Sequence, residues 1–186
     1  APAGADSLCA EKAMQAAADT QLKKAEELER AGKAREAYAV AAKADSDCVS
    51  DSKRQEGEKQ RTAKAIGAED ETKGNLNEAL DWYVRAQAPT DAGRVQRKLV
   101  EAKPDDVNTV SHAIDYFSQQ NDKTQEQAMR AHALKNVEKA LAEEEKRFAS
   151  FTKDSLHELG LAKNWAYYAK GGEDRIRARA SQRGDT

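Results

Sequence analysis

Three histidines, two cysteines and 33 acidic residues are the side chains from which a catalytic or metal centre would have to be built. His112, His132 and His157 fall on different predicted helices. None is paired at a four-residue spacing with a Glu in the pattern that puts two imidazoles and a base on one helix face, the pattern that binds zinc. Cys9 and Cys48 lack the Cys-x-x-Cys spacing of a redox motif or a zinc knuckle. There is no glycine-rich phosphate loop and no Gly-x-Ser-x-Gly elbow. Carboxylates are plentiful, but Glu26-Glu27-Glu29 and Glu143-Glu144-Glu145 alternate with basic residues in the manner of a solvated helix face. An acid/base pair needs an apolar wall to separate the two pKa values, and such walls are scarce here. Arg183-Gly184-Asp185 spells an adhesion tripeptide, but it lies in a terminal segment and is short enough to be coincidence. The expectation is a chain with no catalytic residue, no cofactor and no metal.

Trp82, Tyr83, Trp165, Tyr167 and Tyr168 are half of all the aromatic residues. Tyr83 is expected to pack between helices, and Trp82, next to it on the helix, to be partly exposed. Tyr167 and Tyr168 likewise point in different directions. An exposed aromatic in a groove would anchor a partner.

The 31 Lys and Arg nearly cancel the acidic residues, leaving a formal charge of −2 over 186 residues. Such a balance exerts no general pull toward nucleic acid or an anionic membrane. No run approaches the length of apolar chain that spans a bilayer. Alanine supplies 36 of the hydrophobic residues, against 25 for Leu, Ile, Val and Phe together. Ala, Glu, Lys, Gln and Arg are the strongest helix formers, and methyl-sized side chains let helices approach closely. The chain begins Ala1-Pro2-Ala3-Gly4-Ala5, small residues of the kind that remain after signal-peptide cleavage. With an even pair of cysteines, this predicts an oxidising compartment, periplasmic or secreted, and a Cys9–Cys48 disulfide, against the alternative of two unlinked thiols in a cytosolic protein. For that bridge to close, either the first helix starts after Cys9 or the chain beyond Ala44 is extended.

Helical periodicity runs almost throughout, and nothing alternates like a half-buried strand. A first helix is predicted over residues 8–31, capped by Asp6 or Ser7 and ended by Gly32, and a second over 33–44. Residues 50–61 are nearly devoid of apolar side chains and read as an exposed helical extension or a loop. Helicity resumes near Thr62, breaks at Gly74-Asn75, and continues over 76–88 and 91–102. Val107, Val110, Ile114 and Phe117 mark the next one-sided stripe. Asp122 and Gln125 open a long helix with the spacing of a capping box, and Leu134, Val137, Leu141 and Phe148 give it a buried face toward Ser150. Thr152 or Asp154 caps a helix on which Leu161, Trp165 and Tyr168 share a side. Gly171-Gly172 stops it, and a basic tail with Arg175, Arg177, Arg179 and Arg183 is expected to form a short helix that frays. The predicted organisation is a single domain: a repeat region over 1–120, a long helical hairpin over 121–170 packed on it, and the tail over 171–186.

Leu76-x-x-Ala79-Leu80-x-x-Tyr83 recurs 34 residues later as Val110-x-x-Ala113-Ile114-x-x-Phe117. Ala34-x-x-Ala37-Tyr38-x-x-Ala41 is a weaker copy. Over residues 18–120 the chain resembles the tetratricopeptide repeat family, whose unit is a helix–turn–helix of 34 residues. Ile66-Gly67 resembles the family's Leu-Gly pair, Gly74 its turn glycine, Ala79 the small residue at the hairpin crossing, and Tyr83 and Ala86 the aromatic and alanine of the second helix. Ala25, Leu28, Ala37 and Ala44 fit a second unit around Gly32. Departures stand at Asp70, where an aromatic is usual, at Ala41, at Pro89 and at Pro104.

The resemblance implies an all-α fold of antiparallel hairpins stacked into a short right-handed superhelix, followed by longer C-terminal helices. A plain antiparallel helix bundle is the competing arrangement. The resemblance also implies a groove for a protein or peptide partner, lined by Leu22, Glu26, Glu29, Arg30, Arg61, Lys64 and Glu71, with Trp82 as a candidate anchor. Three functions stay open: a non-enzymatic binding or scaffolding module of the bacterial envelope, a self-assembling helical subunit joined through the long helix, and an enzyme with an unrecognised site.

Overall fold

A computed structural model describes residues 12–147 and 160–182, which fold into helices joined by short turns, with no strand among the described residues. In order these are α1 (Lys12–Arg30), α2 (Ala34–Lys43), α3 (Ser52–Thr72), α4 (Leu76–Arg85), α5 (Pro89–Ala102), α6 (Val107–Gln119), α7 (Lys123–Arg147), α8 (Gly160–Tyr168) and α9 (Gly172–Gln182). The protein is all-α. Expectations that rested on Asp6, Ser7, Cys9, Phe148, Ser150, Thr152, Asp154, His157 or Arg183-Gly184-Asp185 lie outside the described residues. The chain divides into two compact units, residues 1–95 and 96–186. A division after residue 120 would instead part α6 from α7, which pack together in the second unit.

In the first unit α1 packs against α2, α2 against α3, and α3 against α4. Its core is built largely of alanine: Ala18, Ala25, Ala37, Ala41, Ala63 and Ala79 are buried around Leu22, Ile66 and Tyr83. Gly67 shows how close the packing is. A methyl group there would stand 3.0–3.2 Å from the Tyr83 ring, so the absent side chain is what lets α4 lie against α3. The turns after α1 and α3 close alike. Gly32 and Gly74 adopt φ of +77° and +81°, and in each case the glycine's own amide and the next one return to carbonyls of the last helical turn. Gln87 (φ 51°) and Asn121 (φ 55°) close α4 and α6 with the same pair of bonds, at the cost of a left-handed backbone without glycine. Pro89 then begins α5, where a missing N–H and a fixed φ are tolerated at the first helical position.

Residues 50–61 correct the expectation of an exposed extension or loop. Asp51 accepts the Arg54 N–H at 3.0 Å, and α3 begins at Ser52. Gln55, Glu58, Thr62, Ile66 and Asp70 recur every three or four residues, and all are buried. The stripe is helical, but most of its members are polar. Each has an occupation. Gln55 Nε2 donates to the Ala41 and Ala44 carbonyls, both at 2.9 Å, supplying the donors that the end of α2 lacks. Thr62 Oγ1 donates back to the Glu58 carbonyl at 2.7 Å. Asp70, the departure from the aromatic of the repeat pattern, accepts from Arg35 of α2 at 2.6 Å. Beyond α2, Ala44 has an extended backbone (φ −62°, ψ 130°), but the chain then turns, with the Cys48 and Val49 amides both donating to the Asp45 carbonyl at 3.0 Å, so the stretch to Cys48 is not extended.

In the second unit α6 packs against α7, α7 against α8, and α8 against α9. Val110, Ile114 and Phe117 of α6 meet Ala133, Val137 and Leu141 of α7 and the buried Trp165 of α8, with Val100 from the last turn of α5. The apolar stripe of α7 is thus used within this core. Asp122 caps α7 by accepting the Gln125 N–H at 3.1 Å, as its spacing predicts. The interruption at Pro104 is held from α7: His132 Nε2 and Asn136 Nδ2 donate to its carbonyl at 2.8 and 2.9 Å. The short helix expected in the tail is α9. α9 runs to Gln182, Ile176 packs on the core, and Arg175 pairs with Glu138 at 3.3 Å.

Candidate functional site

The residues expected to line a groove come from the first helices of the hairpins, and most of them meet in the first unit as a network of ion pairs. Arg54 grips Glu26 with both Nε and Nη2, at 2.5 and 2.6 Å. Arg61 donates to Glu29 at 3.2 Å and to Glu58 at 2.5 Å. Lys64 pairs with Asp91 at 3.0 Å. Arg94 reaches Asp91 at 2.7 Å and Glu71 at 2.6 and 3.0 Å, while the Tyr83 hydroxyl donates to Glu71 at 2.8 Å. The pairings advance in the same direction along both members, 26 to 54 and 29 to 61, then 64 to 91 and 71 to 94. Helices α1 and α3 therefore run parallel, as do α3 and the first turns of α5. Arg35 meets Asp70 while Ala41 and Ala44 meet Gln55, so α2 runs antiparallel to α3.

This network sets the protonation of its members. The Arg54 hydrogen bond holds Glu26 below the ordinary carboxylate range. Burial works to raise Asp91, but the hydrogen bonds from Arg94 and Lys64 outweigh it and hold it low. Glu58 moves the other way: burial and then the neighbouring Glu29 charge push it up, against the pull of Arg61. Tyr83 is pushed up to about 12, first by burial and then by its bond to Glu71, so its phenol keeps its proton at neutral pH. Such groups hold helices in register and display fixed charge.

Two expected groove residues lie elsewhere. Leu22 is 1% exposed and belongs to the core, so no partner reaches it. Trp82 lies with the second helices of the hairpins: its ring meets Tyr38 of α2 edge-on at 4.9 Å, and Arg85 covers it at 5.0 Å. Arg30 is exposed and turns back, its Nε donating to the Glu26 carbonyl at 3.2 Å. Arg54, Glu58, Asp91 and Arg94 complete the network and escaped the sequence analysis. Their signal was positional: in α3 the polar residues continue the spacing of Ile66, and Asp91 precedes Arg94 by one turn.

Other candidate sites are dispersed. His112 is exposed on α6, and His132 is occupied with Pro104. Among the described residues no group of three His, Cys, Asp or Glu side chains converges to hold a metal, and no helix is long and apolar enough to cross a membrane. Cys48 is buried, and no described cysteine is free. Trp165 is core, whereas Tyr167 is 79% exposed and meets Tyr168 edge-on. No protein-family profile, curated protein or solved structure matches the chain.

Proposed function

We propose that the chain is a tetratricopeptide-like, non-enzymatic binding or scaffolding module of the bacterial cell envelope, periplasmic or secreted, and that it grips a protein or peptide partner on the face shared by α1, α3 and the start of α5. The observation that carries this reading is the parallel alignment of those first helices by charge pairs, with α2 antiparallel between α1 and α3. The closeness of Gly67 to Tyr83, and the turns at Gln87 and Asn121 spaced 34 residues apart, also support a repeat. The 42-residue interval between Gly32 and Gly74 is the repeat lengthened by the link between α2 and α3.

Mixed, largely matched charge on this face suits an extended peptide of mixed charge that exchanges these pairs for its own. It gives no purchase to a uniformly charged polymer such as nucleic acid. A Cys9–Cys48 bridge belongs to the same reading, since an extracytoplasmic chain of modest core gains most from a covalent tie.

The test is affinity capture from an envelope fraction, followed by direct binding of the purified captured protein to wild type and to an Arg30→Ala/Lys64→Ala variant. Both side chains are exposed, and Arg61 is left intact because it joins α1 to α3. Weakened binding by the variant is the expected result. Equal binding by both proteins would remove this face as the groove.

A further inference from the structure

We propose that Glu29 and Glu58 hold one proton between them across the junction of α1 and α3, making that junction a clasp that acid tightens and alkali loosens. Glu58 is fully buried, and a single guanidinium serves both carboxyl groups: Arg61 Nη2 donates to Glu58 Oε2 at 2.5 Å, and Arg61 Nε donates to Glu29 at 3.2 Å. Two carboxylates facing one cation leave a surplus negative charge where burial makes it most costly. The second oxygen, Glu58 Oε1, is buried, and among the described residues no donor reaches it. As part of a carboxylate it would forgo a hydrogen bond that a charged acceptor can ill do without. A proton on Glu58 removes the surplus charge and turns its carboxyl into a donor, and Glu29, held on the same guanidinium, is the carboxylate placed to accept it.

No other nearby charge serves as well. Arg54, a turn earlier in α3, has its Nε–Nη2 edge on Glu26 of α1. From α2, Arg35 is turned to Asp70 and Glu69, Glu36 pairs with Lys33, and the residues buried toward α3 are Ala37 and Ala41. α4 meets α3 further along, where Tyr83 lies over Gly67.

The sign of the pH effect follows. Burial and Glu29 raise Glu58 above its ordinary value of 4.5 in the folded chain. The native state therefore keeps a proton that the unfolded chain has released. This contribution to stability is complete below the ordinary value and is lost as pH rises through the raised one.

The test is thermal unfolding of the whole chain as wild type, Glu58→Gln and Glu29→Gln from about pH 5 to about pH 8, where the linkage acts. Glutamine at position 58 keeps an acceptor for Arg61 and places an amide donor where the proton sits. Wild type should lose midpoint relative to Glu58→Gln as pH rises, and Glu29→Gln should fall less than wild type. A constant gap between wild type and Glu58→Gln, or an equal fall in Glu29→Gln, would overturn the clasp. In native wild type, the Glu58 carboxyl carbon followed by NMR should titrate above the ordinary glutamate range. Titration within or below that range would overturn it independently of how the variants fold.

Discussion

Gly57 and Gly67 stand in the same helix, yet a methyl group added at each meets different surroundings. At Gly57 the nearest atom is the flexible Arg61 guanidinium at 3.4 Å, an ordinary contact. Alanine there relieves the backbone entropy of a mid-helix glycine, and Gly57→Ala should stabilise by about 0.5–1 kcal/mol. At Gly67 the same gain is opposed by the Tyr83 ring at 3.0 Å. That ring is buried, and its hydroxyl is tied to Glu71, so it yields little. Overpacking of this kind costs about 1–3 kcal/mol, and Gly67→Ala should be net destabilising by roughly 1–2 kcal/mol. Thermal melts of the two variants check both signs. A Gly67→Ala protein as stable as Gly57→Ala would mean that α4 is free to move off α3. Tyr83 makes a narrower point: Tyr83→Phe deletes the bond to Glu71 while Arg94 still satisfies that carboxylate. The loss should stay near ~1 kcal/mol, the net worth of a single hydrogen bond, in a denaturant titration.

At the scale of the helix, α3 decides whether the first unit holds together. Gln55→Leu keeps the side chain's bulk but strips the Ala41 and Ala44 carbonyls of their donor. An unsatisfied buried acceptor costs about 1–3 kcal/mol, so the variant should lose at least that much and show faster amide exchange through the last turn of α2. Unchanged exchange there would show that water replaces the amide without penalty. This helix also shows where sequence patterns stop being informative. The turns at Gly32 and Gly74, the cap at Asp122 and the crossing at Gly67 follow from local stereochemistry, and their residue types announce them. The interior of α3 does not. Hydrophobic periodicity weighs Gln55, Glu58 and Asp70 as solvent-facing, whereas Gln55 and Asp70 meet partners 11 to 35 residues away in sequence and Glu58 meets an Arg61 that is shared with Glu29 of α1. Leu22 failed for the opposite reason. The position corresponds to a groove residue in the repeat pattern, but a large aliphatic side chain one turn from the buried Ala18 and Ala25 is drawn into the core with them.

Over the whole chain, one tryptophan falls in each compact unit, Trp82 in the first and Trp165 in the second. Trp82→Phe and Trp165→Phe variants therefore give separate fluorescence reports of each. The first unit joins its helices through many half-exposed ion pairs, the second mainly through the apolar surroundings of Trp165. Exposed pairs are worth ~0–1 kcal/mol each, and salt near 1 M shortens the screening length to about 3 Å. Sodium chloride at that concentration should lower the Trp82-reported midpoint by about 1–3 kcal/mol equivalent and shift the Trp165-reported one less. Equal shifts would mean that the charge pairs contribute nothing net. The donation from Gln55 also bears on how this protein can be cut into pieces. Because the first hairpin borrows an amide from the helix that follows, its natural edge does not coincide with the loop after α2. A fragment trimmed at that loop leaves the Ala41 and Ala44 carbonyls to water alone, whereas one extended through Thr72 keeps the Gln55 donor with them. Grafting, circular permutation or shortening of the chain must therefore treat α1 to α3 as an indivisible block, and two-helix excisions will underperform however cleanly the loop is severed.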